Sequence, residues 1–213
     1  MKTIYLVRHG EAENNVRTTP TYVAKEAKLT PKGEEQALMI AARVQKLPVT
    51  ALIASDFVRA QETAHAVSKK TGLTIETSPL FGERLGPSDL VGRPWDDPAT
   101  RQREKKWERS CAMENARVGD GENYEDIVLR IKEALEYLES HPADEIAVVT
   151  HGFFQKALAT YIVFQDALTP AMFGSIQWGM RTTNTGLGII RFDPEDKHTK
   201  WWLSVFNDHT HLG

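Results

Sequence analysis

At 213 residues, 41% hydrophobic and 26% charged, the chain has ordinary globular composition and enough length to bury a sizeable core. A formal net charge of -3 removes any electrostatic case for nucleic acid, so a positive field must be local to a pocket and its partner a small anion. The lone cysteine, Cys111, excludes an intrachain disulfide and a multi-cysteine metal cluster, and no apolar run reaches membrane-spanning length.

Along the chain, strand-like and helix-like patterns alternate, the signature of an α/β fold with helices on the sheet faces. Met1-Lys2 leads directly into a first apolar strand with no leader pattern, so a cytoplasmic protein is expected. That strand ends in Arg8-His9-Gly10-Glu11, and a polar loop runs on through about Ala27. Thr30 suits a helix N-cap and Pro31 the first helical position, with Ala37, Ile40, Ala41 and Val44 as the apolar stripe. A second strand near Val49 to Ala54 is followed by Ser55 or Asp56 as a cap, which places Arg59 within about the first turn of a helix.

A short strand around Leu73 to Thr77 leads to Phe81-Gly82-Glu83-Arg84. From there to about Gly121 the sequence is rich in Pro, Gly and charge, with a helix near Thr100 to Met113. It reads as an insertion able to cover a site. A helix from Glu122 to about Ser140 returns the chain to a third strand, Ile146 to Thr150, which runs into His151-Gly152. Gly186 to Phe192 and Trp201 to Phe206, about a turn at Asp193-Pro194, form an antiparallel hairpin. No linker or repeat interrupts this order, so residues 1–213 make one domain, with about 84–120 as a cap-like insertion.

Three strands therefore each deliver an Arg or His to what would be one carboxyl edge of a parallel sheet, where residues distant in sequence converge on a ligand. His9 can present one ring nitrogen to phosphorus while a backbone acceptor fixes the other, and Gly10 leaves room for close approach. Phosphoryl transfer spreads negative charge over the equatorial oxygens, and Arg8, Arg59 and His151 are suitable cations against it. Glu83, in a loop beside glycine, is the candidate to protonate a leaving alkoxide and then to take a proton from water, a task that partial burial favours.

These residues resemble the histidine phosphatase superfamily, also called the phosphoglycerate mutase-like family. Arg8-His9-Gly10-Glu11 with Asn15 is similar to its first motif, and Ser55-Asp56-Phe57-Val58-Arg59-Ala60-Gln61-Glu62-Thr63-Ala64 to its second. Glu83-Arg84 resembles its acid position and His151-Gly152 its second histidine. Leu29 to Gly33, Asn184 and Asn207 to Leu212 also match, so the likeness covers nearly the whole chain.

The resemblance implies a three-layer α/β/α sandwich with a mostly parallel sheet and a phosphohistidine intermediate on His9. Arg8, Arg59 and His151 would then hold the phosphate, and Glu83 would move the proton. Asn15 and the Gly152 backbone would contact substrate. No metal or other cofactor is implied. Ala12 and Asn123 stand where the family usually has Thr or Ser and Ser, and Gly86 to Trp95 matches the usual continuation after the acid poorly, so the substrate stays open.

Other roles are weaker on their residues. Arg101, Arg103, Lys105, Lys106 and Arg109 are interspersed with Glu104 and Glu108 and read as a solvated helix face. His209 and His211 lack carboxylate or cysteine partners for a metal. Three functions compete. The first is a phosphatase of a small phosphorylated metabolite, with no nucleic acid or membrane partner and a homodimer left open. The others are a phosphoglycerate mutase-type transferase and a non-catalytic phosphate-binding module. The short Glu83 to His151 segment favours hydrolysis over a family mutase, and retention of His9, Glu83 and both arginines disfavours the module.

Overall fold

Five buried residues in succession, Thr3 to Val7, mark β1 (Lys2–Arg8) as a strand covered on both faces. β4 (Glu145–Thr150) has the same near-continuous burial, which is what central strands of a doubly covered sheet require. In a computed structural model, which describes residues 1–16 and 19–213, these two strands lie side by side at the centre of a six-stranded sheet.

The sheet order is β3-β2-β4-β1-β5-β6, where β2 is Ala51–Ala54, β3 is Ile75–Thr77, β5 is Leu187–Phe192 and β6 is Trp201–Asp208. β1, β2, β3 and β4 run parallel; β5 and β6 add the expected antiparallel hairpin beside β1. Alternation along each strand splits the interior in two. Ile4, Leu6, Ile53, Ile146 and Val148 pack with Phe81, Ile131, Leu135, Phe154 and Leu158 on one face. Tyr5, Val7, Leu52, Ala147 and Val149 pack with Ile40, Val44, Ala60 and Val67 on the other. The result is a three-layer α/β/α sandwich.

Short α1 (Glu13–Val16) interrupts the loop expected through Ala27, of which residues 17 and 18 lie outside the described residues. α2 (Pro31–Val44) starts where the Thr-Pro pair places it, with the Thr30 side chain accepting from Gly33 N–H; such a cap is worth ~1 kcal/mol. α3 (Val58–Thr71) departs from expectation. Its N-cap residue is Phe57 and no side chain caps it. The Ser55 hydroxyl accepts from Phe57 N–H at 3.2 Å and the Asp56 carboxylate pairs with Lys25 at 2.6 Å, so both expected caps are engaged elsewhere.

α4 spans Pro98–Ser110 and α5 spans Tyr124–Ser140, the latter opened by a reciprocal Asn123–Asp126 capping box. α6 (Gly152–Phe164) and α7 (Pro170–Gly179) have no counterpart in the sequence reading. α7 was nonetheless signalled, because Thr169-Pro170 repeats the Thr-Pro start of α2 and Thr169 accepts from Met172 N–H.

Candidate active site

Strand register puts the two histidines next to each other. Arg8 pairs with Thr150 across β1 and β4, and Ala54 pairs with Val149 across β2 and β4. One residue beyond those pairs the ladder is still held, by His9 N–H to Thr150 O at 2.9 Å and Ser55 N–H to Val149 O at 3.0 Å. His9, Ser55 and His151 thus leave the carboxyl edge together, with the imidazole centroids 5.0 Å apart.

The partners of His9 fix its tautomer. Nδ1 lies 2.6 Å from the Gly10 carbonyl, which can only accept, and Nε2 lies 3.2 Å from Arg59 Nε, which can only donate. The proton is therefore on Nδ1, and the lone pair on Nε2 faces Arg59. Burial, then Arg59 and Arg8, hold the imidazole well below its ordinary titration range, so it is neutral at pH 7. The room expected beside Gly10 for an incoming phosphate is occupied instead. A Cβ there would lie 2.4 Å from the Gly33 carbonyl oxygen, so this glycine serves the close packing of the α2 start.

His151 differs from expectation in its charge. Burial first, then Arg59 and His9, depress its titration well below the usual imidazole value, so it is a neutral ring and not a resident cation. Its Nε2 meets the Ser55 hydroxyl at 2.8 Å. That hydroxyl also accepts from Phe57 N–H, and His151 Nδ1 is a buried atom with no hydrogen-bond partner. Ser55→Ala should strip both contacts. The expected outcome is a loss of ~1–3 kcal/mol of stability together with an activity loss of roughly tenfold or more, read by thermal unfolding and by steady-state kinetics on the same preparation.

The guanidinium of Arg8 donates to Thr182 O at 2.5 Å, while its Nε is buried without a partner. Gly152 makes this approach possible, since a Cβ there would lie 3.1 Å from Arg8 Nε and 2.6 Å from Thr182 Oγ1. Arg59 is 2% exposed, donates through Nη1 to Ala24 O at 3.0 Å, and lies with its guanidinium carbon 4.8 Å from the Phe57 ring centroid. Burial pulls its titration down to about 10, which leaves it a cation at neutral pH.

Glu83 is half-buried, with Oε1 accepting from Arg84 N–H at 3.1 Å and Oε2 from Phe153 N–H at 3.4 Å. The Arg84 side chain turns away from it. It donates to the carbonyls of Trp107, Glu108 and Glu122 and to Ser110 Oγ, tying both ends of the 84–122 segment and the α4 C-terminus together. Arg130 braces the same loop by donating to Leu80 O and Gly82 O while it pairs with Glu122 at 2.8 Å.

Asn15 and Asn184 stand at the rim. Asn184 Nδ2 donates to His9 O at 3.2 Å and to Asn15 Oδ1 at 3.1 Å. Behind His9, Thr185 N–H donates to the same carbonyl at 3.2 Å, with Thr185 held at φ 59°, a left-handed value costly for a β-branched residue.

Sequence reasoning missed Ser55 as a support for His151, and also missed Tyr22. Burial, with the Glu104 and Glu83 charges, raises the Tyr22 phenol to about 12, so it is a neutral hydroxyl between acid and arginines. Ser55 sits inside the second motif and could have been found there. Tyr22 lies in a loop without periodic signal.

An imidazole nitrogen free of its proton, beside a buried arginine N–H that lacks an acceptor and a second imidazole, makes this edge suited to an anion with an electrophilic centre, as in a phosphoryl-transfer site. The chain belongs to the histidine phosphatase superfamily (branch 1), whose family model matches residues 4–205. It is 32% identical over 166 residues to a protein of Enterobacter sp. (strain 638) named "Probable phosphoglycerate mutase GpmB", a match covering 76% of this chain and 75% of that one. Among solved structures, it is similar to Bacillus stearothermophilus YhfR with a TM-score of 0.81 at 22% identity over 100% of both chains. A mycobacterial glucosyl-3-phosphoglycerate phosphatase gives a TM-score of 0.74 at 20% identity, covering 98% of this chain and 100% of that one.

Proposed function

We propose that the protein is a phosphatase that hydrolyses a small phosphomonoester through a phosphohistidine on His9, without a metal ion. The observation that carries this is the pair of buried nitrogens without partners, Arg8 Nε and His151 Nδ1, close to an imidazole whose Nε2 already carries the lone pair. An anion supplies the acceptor that Arg8 Nε lacks, and its protonated oxygen or His151 Nδ1–H can complete the second contact.

In the first half-reaction His9 Nε2 attacks phosphorus and the bond to the alcohol oxygen breaks. Arg59 moves its N–H from His9 to a phosphoryl oxygen, and the protonated Glu83 carboxyl gives its proton to the alkoxide. In the second, the Glu83 carboxylate takes a proton from water as the water oxygen attacks phosphorus, the N–P bond breaks, and neutral His9 returns with inorganic phosphate released. Tyr22 and Asn15 would contact the substrate at the mouth of the site. The partner of this site is a small phosphorylated metabolite; nucleic acid and membrane are not partners in this reading, and the protein acts in the cytoplasm.

The names of the curated relatives favour one second reading, transfer of the phosphoryl group to another hydroxyl of the same molecule. The test is phosphate release from p-nitrophenyl phosphate and a set of phosphometabolites with chelator present. Enzyme-bound, acid-labile phosphate is measured in quenched samples. Chelator-resistant release with such a bound species supports the phosphatase; an isomerised product without release supports transfer. Glu83→Gln should still give a burst of bound phosphate with p-nitrophenyl phosphate, whose leaving group needs no acid, while turnover of alkyl phosphates falls by ~10²–10⁴. Loss of the burst would remove Glu83 from the leaving-group step.

A further inference from the structure

The loop 183–186, which leads into β5, lies directly against the main chain of the nucleophile. Gly186 O accepts from Arg8 N–H at 3.1 Å, and Thr185 N–H and Asn184 Nδ2 both donate to His9 O at 3.2 Å. The other end of that peptide unit, Gly10 N–H, donates to Thr63 Oγ1 at 3.1 Å. The His9–Gly10 peptide is thus pinned at its oxygen and at its nitrogen. Thr185 makes its contact from a left-handed φ of 59°, which a buried β-branched residue keeps only where its surroundings over-determine it.

Those surroundings are the 3₁₀ turn Thr210–Leu212 that follows β6. His211 Nε2 lies 3.1 Å from Thr185 Oγ1, and His211 Nδ1 lies 3.2 Å from Arg43 Nη1 on α2. The Thr185 hydroxyl gives its own proton to Asn184 O at 2.7 Å. Donors and acceptors then run in one direction. Arg43 can only donate, so Nδ1 is the bare nitrogen and the His211 proton is on Nε2, from which it goes to the threonine oxygen.

We infer that His211 is a positioning residue for the active site, holding Thr185 in its left-handed conformation and through it the His9–Gly10 peptide and the Asn184 side chain. This rests on the reading of His9 as the nucleophile given above. Asn184 Nδ2 also donates to Asn15 Oδ1 at 3.1 Å, so the relay reaches the rim as well as the nucleophile.

The support itself is fixed. Arg43 also pairs with Asp208, and Asp208 Oδ1 accepts from Thr210 N–H at 3.0 Å. Asn207 Oδ1 accepts from Thr183 N–H at 2.7 Å, so the end of β6 holds the start of the loop while His211 holds its middle. The relay needs a neutral ring, because a proton on Nδ1 would face the Arg43 N–H. Burial first, then Arg43 on α2, holds the His211 titration below the ordinary imidazole value; Asp208 on β6 opposes this and His209 adds to it.

The test compares two variants of the full chain. His211→Gln keeps a side-chain N–H that reaches about as far as the imidazole Nε2–H, and His211→Phe keeps a ring without nitrogens. In rapid-quench mixing with p-nitrophenyl phosphate, His211→Phe should slow the burst of bound phosphate by about tenfold, with the half-saturating concentration of the burst within about threefold. His211→Gln should retain most of the wild-type burst rate. Thr185→Gly adopts a left-handed φ without cost and lacks Oγ1, so adding His211→Phe to it should slow the burst by less than about twofold.

The same tenfold loss in both backgrounds, or an unchanged burst in His211→Phe, would overturn the relay. If His211→Phe fails to fold, Thr185→Val, which removes the hydroxyl that receives the His211 proton, takes its place: a tenfold slower burst supports the relay and a wild-type burst overturns it. The Gly10 amide resonance gives a readout without turnover, and it should shift in His211→Phe and stay near wild type in His211→Gln. If the wild-type protein forms no bound phosphate but the resonance follows this pattern, the nucleophile reading falls and the relay stands. A wild-type burst that His211→Phe leaves untouched means the reverse.

Discussion

His9→Ala should lower chelator-resistant turnover of p-nitrophenyl phosphate by roughly 10⁴-fold or more and abolish acid-labile bound phosphate, while circular dichroism shows the fold intact. The size of the effect follows from the geometry around the two imidazoles. The second ring cannot substitute for the first, because its Nε2 is engaged by Ser55, which also holds the Phe57 N–H. Nor does the wild-type protein need a base to prepare the nucleophile. The Gly10 carbonyl holds the Nδ1 proton, and burial together with Arg59 and Arg8 keeps the ring neutral well below its ordinary range. Added imidazole should restore part of the lost turnover by entering the space the ring vacates. A mutant within tenfold of wild type, about 1.4 kcal/mol in the barrier, would refute His9 as the covalent nucleophile.

The parts of this site that were legible in the sequence share one property: a residue type stands at a strand end. Arg8-His9 and His151 follow apolar runs whose burial forces them into a central sheet, and a parallel sheet has its carboxyl ends on one edge. Thr30-Pro31 was legible for a different reason, since cap chemistry is local. What was not legible depends on partners distant in sequence. The neutrality of His151 comes from desolvation by the whole core and from Arg59, so a histidine expected as a cation is an uncharged ring.

Gly10 illustrates the same point, because the neighbour that forbids a Cβ, the Gly33 carbonyl, is brought there only by the packing of α2. The α3 cap was misplaced because Ser55 and Asp56 find stronger partners in His151 and Lys25 than in the helix start. Arg84 could have paired with the adjacent Glu83, and the sequence could not tell; folding of the 84–122 segment gives its guanidinium carbonyl oxygens instead.

Arg59→Ala should cost ~10²–10³ in kcat/KM, the range for removal of one preorganised donor at a site of developing negative charge. His209→Ala, which alters an exposed terminal residue, serves as the comparison and should change kcat/KM by less than about twofold. Arg59→Lys should recover little. The guanidinium simultaneously donates to His9 Nε2, donates to Ala24 O and packs against Phe57, and an ammonium on a flexible stem cannot reproduce that fork. A structural arginine could lose activity by misfolding, so the decisive reading is the titration of His9 by NMR in the folded variant. Burial is the larger cause of its depressed value and stays in place, but the Arg59 charge that disfavours the imidazolium is gone. The His9 titration should therefore move upward in Arg59→Ala, toward pH 6.5 without reaching it, and the acid limb of kcat/KM should follow. An unmoved His9 titration with kcat/KM equal to that of His209→Ala would place Arg59 outside the site, and the phosphate would then have to be held by Arg8 and His151 alone.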